Sequence, residues 1–134
     1  MSQMKEVYNL KNDSRQIRMI QEASLDKKSF AGYKVENDLL FGTKEWFNAI
    51  EKGEIKSHVI KGTITKVMIA GHGDFPEFEI KNQEGVSIWT KEGNDGDYVV
   101  GSNAELTYVE QKYKRPSDIT GSISKCVLKI KIGK

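Results

Sequence analysis

The stretch His58 to Ile69, HVIKGTITKVMI, constrains the fold more than any other part of the chain. It is rich in β-branched and apolar residues and is interrupted only by Gly62 and two lysines, so it reads as one long strand. Its apolar residues change parity part-way: Ile60 and Ile64 share one face, Val67 and Ile69 the other. Side chains on a strand alternate with a period of two, so both pairs can reach one core only if the strand bulges or bends. The neighbourhood of Gly62 is where this is expected, because glycine weakens a straight strand and permits a bend.

Shorter β-like runs follow at regular spacing. Phe78 and Ile80 fall on one face of the next run, with Glu77, Glu79 and Lys81 on the other. Asn82 to Gly85 reads as a hairpin connection and Val86 to Thr90 as a third strand. Ile88 and Trp89 alternate there, so one of them faces out; a buried Trp89 is core, an exposed one a stacking platform. After the polar loop KEGNDGD, Tyr98 to Gly101 leads into a fourth strand, Ala104 to about Glu110. Pro116 argues against a continuous strand over Lys112 to Gly121. In the last run Cys126, Leu128, Ile130 and Ile132 alternate with Lys125, Val127, Lys129 and Lys131. That pattern sends an apolar face inward and three lysines outward, where they would guard a sheet edge.

Two helices precede these strands. Asp13 is placed to cap the first, with Gln16 three residues on, and Ile17, Ile20 and Ala23 or Ser24 give it a narrow apolar stripe running to about Lys28. Thr43 caps the second, and Gly53 stands where a terminating glycine belongs. Trp46, Phe47 and Ile50 load one side of that short helix with apolar area, so it packs into the core. Val7, Tyr8 and Leu10 read as a short strand or as a docked segment.

The fold class expected is mainly β, a β-barrel with short N-terminal helices. Residues 1–56 form a helical extension packing on a five-stranded barrel of residues 57–134, one structural domain overall. A long bent first strand, a three-strand meander, a glycine turn before the fourth strand and a closing fifth together resemble the OB-fold, over residues 57–132. The resemblance implies binding across the second and third strands and the loops after the first and fourth. Many OB-folds carry a helix between the third and fourth strands, but Lys91 to Asn103 has no helical stripe. The helix from Thr43 to Lys52 is therefore expected to cover the barrel end.

Several classes of chemistry are excluded. A lone Cys126 allows neither an intrachain disulfide nor a cysteine ligand pair, and it reads as a small core residue. The glycines compose no phosphate-binding loop, and there is no nucleophile elbow. No cofactor and no metal is expected. No apolar run approaches the length of a membrane helix, and MSQMKEVYNLKNDS lacks the apolar core of a signal peptide, so the expected compartment is the cytoplasm.

Charge supplies the functional candidates. The net charge is only +2, but it is uneven. Ala70 to Tyr98 holds seven acids against two lysines, a balance of −5, whereas Glu110 to Lys134 holds seven bases against two acids, a balance of +5. On the OB-like surface, Lys112, Tyr113, Lys114 and Arg115 make a cationic loop with an aromatic, and Trp89 could add a stacking face. Asp74, Glu77 and Glu79 lie on the same mapped surface and would repel phosphates. The first expectation is thus a non-enzymatic binding module for single-stranded nucleic acid. The alternative is a protein–protein interaction or self-associating module that uses the opposed −5 and +5 regions. A third reading, an enzyme acting through His72 and Asp74, requires those two residues to line a polar pocket.

Overall fold

The computed structural model describes residues 4–28, 32–35, 38–68, 76–117 and 121–133, with the backbone alone at 95, 115–117 and 121. The elements in chain order are β1 (Met4–Asn9), α1 (Ser14–Leu25), α2 (Lys44–Glu51), β2 (Ser57–Met68), β3 (Glu77–Asn82), β4 (Gly85–Thr90), β5 (Asn103–Ser117) and β6 (Gly121–Gly133). The protein is mainly β. Its six strands form one antiparallel sheet in the order β1-β6-β5-β2-β3-β4. Among the described residues no pairing joins β1 to β4, so the sheet is open where the sequence leads one to expect a closed barrel.

Both helix caps form as their residues dictate. The Asp13 carboxylate accepts from the Gln16 amide at 3.2 Å, and the Thr43 hydroxyl accepts from the Trp46 amide at 3.3 Å. The first helix stops at Leu25, three residues earlier than its pattern suggests. The second ends as expected, with Gly53 at φ +81°.

The chain divides into two compact units. The first gathers Met1–Asn9, Val59–Thr107 and Lys129–Lys134. Its core is built on Ile64, Phe78, Ile80, Leu106 and Ile130, all 1% exposed or less. The parity change in β2 is resolved by a register shift between Ile64 and Lys66, which leaves Thr65 as the extra residue. Ile64 therefore sits opposite Ile80 while Val67 sits opposite Phe78, and both point to the same interior.

The bulge falls three residues beyond Gly62, in the neighbourhood the sequence indicates, and the glycine itself serves another purpose. A Cβ there would strike the Lys81 carbonyl oxygen and lie 2.7 Å from Ile80 Cγ2, so the glycine permits a close approach of β2 to β3. β1 pairs with β6, matching Lys5 to Ile132 and Tyr8 to Ile130. The last strand is thus internal over Lys129 to Gly133, and Lys129 and Lys131 do not guard an edge. Lys129 instead lies 3.7 Å from Glu6 on the neighbouring strand.

The second unit gathers Leu10–His58 and Tyr108–Leu128. Trp46 is 1% exposed and forms an aromatic cluster with Phe41 and Phe47 at centroid distances of 4.6 and 5.0 Å. Cys126 is buried here, as its place on the alternating run requires.

Candidate functional site

The basic segment Lys112 to Arg115 lies inside β5, not in a loop. The strand continues because it has a second backbone neighbour: the Lys34 amide donates to the Lys112 carbonyl at 2.8 Å, the Lys114 amide donates to the Gly32 carbonyl at 3.1 Å, and Tyr33 bridges Tyr113. Pro116 falls one residue before the strand's end, where a missing amide is tolerated. The rings of Tyr113 and Tyr33 are 5.8 Å apart, and burial pushes the Tyr33 phenol up to about 12. Lys114 turns inward: its ammonium donates to the carbonyls of Ala23 (2.6 Å) and Asp26 (2.7 Å), with Ser24 at 3.5 Å. A cation on the last carbonyls of a helix complements the helix dipole. Lys114→Met should lower stability by about 1 kcal/mol, read as a fall of a few degrees in thermal melting, with no change in fold.

Lys112 borders a cavity of about 220 Å³ with Lys34, Glu54, Glu110, Gln111 and Trp46. Two lysines face two glutamates there, so the lining carries no net charge to attract a phosphate. The indole N–H of Trp46 is buried, with no acceptor among the described residues. Glu110 also approaches His58 Nε2 at 3.4 Å, and that imidazole stacks on Tyr108 at 5.0 Å. Among the described residues no group of three or more histidine, cysteine or carboxylate side chains is arranged to hold a metal. His72 and Asp74 lie outside the described residues, as does the side chain of Arg115.

A different surface emerges in the first unit. Trp89 is 6% exposed and its indole donates to the Ser87 hydroxyl at 2.8 Å, so it offers no open ring to a base. Burial of Trp89 forces its neighbours outward: Val86 is 59% and Ile88 54% exposed. Across the ladder these stand opposite Lys81 and Glu79, making an outer face of apolar and charged residues on β3 and β4. Thr65 extends it by donating to the Glu79 carboxylate at 2.8 Å.

Against protein families, the model described as Immunity protein RhsI2 matches residues 4–133, which includes every strand and both helices. The chain belongs to this family. No curated protein matches it. Of the sequence candidates, Lys112, Tyr113 and Lys114 are brought together on β5 in one unit, while Trp89 belongs to the core of the other. Sequence reasoning missed the outer face of β4. The signal was present in GVSIWT, six residues without a charge.

Proposed function

We propose that this chain is a non-enzymatic immunity protein that acts by binding a protein toxin. The observation that carries this reading is the match of the RhsI2 immunity family over residues 4–133. It is supported by an apolar and charged outer face on β3 and β4, chemistry suited to a protein surface. The nucleic-acid reading loses its support because Lys114 is spent on helix carbonyls, Trp89 is buried, and Lys112 shares its cavity with two glutamates. We retain an OB-like arrangement for residues 57–132 as part of the proposal, on the bulged β2, the β2-β3-β4 meander and the return of β5 beside β2.

Co-expression tests the function. Cells that produce the cognate toxin domain should stop growing, and the same cells producing this chain as well should grow. Cells that stay arrested despite abundant folded chain would refute the reading.

A further inference from the structure

We infer that the outer edge of β4 is a strand-addition site, and that it takes an extended segment of a partner protein with apolar residues at alternate positions and a net positive charge. The assignment rests on the protein-binding reading above and adds where and how the partner is held.

β4 ends the strand order, and among the described residues it pairs only with β3. The phase of its ladder is fixed at one end, where the Lys91 amide donates to the Pro76 carbonyl at 2.9 Å. The register runs unbroken from Glu77 opposite Thr90 to Asn82 opposite Gly85. In an antiparallel pair, hydrogen-bonded positions alternate with unbonded ones. The bonded pairs after Lys91 and Pro76 are therefore Trp89 with Phe78 and Ser87 with Ile80. It follows that Val86, Ile88 and Thr90 direct their backbone N–H and C=O groups to the open edge.

The same residues carry the outward side chains. Val86 and Ile88 are more than half exposed, whereas Trp89 is buried. Bare backbone and apolar side chains at alternate positions are the two features that strand addition uses, the first for affinity and the second for specificity.

The opposite edge is built differently. β1 exposes Lys5 and Glu6, and its register with β6 shifts between Glu6 and Tyr8. Edge charges and irregular register are the devices that prevent unwanted pairing. β4 has no charged residue, no proline and no register shift against β3. The hairpin that presents this edge selects the partner's sign: from Glu77 to Thr90 it carries three acids, Glu77, Glu79 and Glu84, against the one lysine Lys81. A second copy would set one acidic surface against another, whereas a basic segment would complement it.

Hydrogen exchange and titration with the cognate toxin domain test the assignment. In the free chain the amides of Val86, Ile88 and Thr90 should exchange faster than those of Ser87 and Trp89, and on complex formation all three should slow. Ile88→Pro removes an amide that β3 does not use, and it should weaken binding about tenfold or more. If that variant unfolds, Val86→Lys with Ile88→Lys carries the test, because both side chains are already in solvent. A toxin domain that binds these variants as tightly as the unaltered chain, and leaves the three amides unprotected, overturns the edge assignment while leaving the immunity reading standing. A toxin domain that does not bind the unaltered chain at all removes both. A dimer of the free chain that Ile88→Pro dissolves would put a second copy on the edge and overturn the basic-segment assignment.

Discussion

Trp46→Ala should cost about 3–5 kcal/mol, the usual loss for a buried large aromatic, and should lower the denaturant midpoint without changing the slope of the transition. The reason lies in what the ring holds together. Trp46 is 1% exposed, packs against Phe41 and Phe47, and belongs to a helix of only eight residues. So short a helix is not stable by itself and depends on its buried side. Trp46→Phe separates two contributions. It keeps a ring in the cluster and removes the indole N–H, which has no acceptor among the described residues. A buried donor without a partner carries a desolvation penalty of about 1–3 kcal/mol, so the phenylalanine variant should lose much less than the alanine one. Equal losses would show that the indole N–H does find a partner and that ring volume is not what matters.

Gly62→Ala should destabilise by about 1–3 kcal/mol, the cost of overpacking a well-fitted interior. Its methyl group would meet the Lys81 carbonyl oxygen and Ile80 Cγ2, backbone and branched core, neither of which can swing aside. The ladder between β2 and β3 must widen locally. Gly85→Ala is the informative contrast, since a Cβ there meets nothing but φ is +130°. Its penalty comes from backbone strain alone. Chemical denaturation of both variants separates lack of space from conformation, and a Gly62→Ala protein as stable as the unaltered chain would contradict the packing described for β2.

Much of the fold is legible in local patterns. Thr43, Trp46 and Gly53 mark the beginning, buried side and end of α2, because capping and burial act over a few residues. The parity change in β2 announces a bulge, although it does not say which residue bulges; Gly62 answers to a close approach and Thr65 takes the extra position. The alternation of β6 holds at Cys126, Ile130 and Ile132, which are buried.

What is not legible depends on distant partners. β1 is a strand because it meets β6, more than a hundred residues later, and MKEVYN alone does not say so. β5 continues past Glu110 through Lys112 and Lys114 because Gly32 and Lys34 bond its backbone, and Pro116 falls only at its end. The candidate site suffers in the same way. Lys114 reads as a solvent cation until its three carbonyl neighbours at Ala23, Ser24 and Asp26 are known. Val86 and Ile88 read as ordinary strand residues until the strand order places them at an open end.

The most direct test of the central claim, that this chain works by binding a protein, is a calorimetric titration of the purified chain with its cognate toxin domain. The titration should give a saturable complex, with nothing comparable from a mixed-sequence single-stranded oligonucleotide at low salt. Binding to the oligonucleotide that weakens log-linearly with salt, and none to the toxin domain, would contradict it.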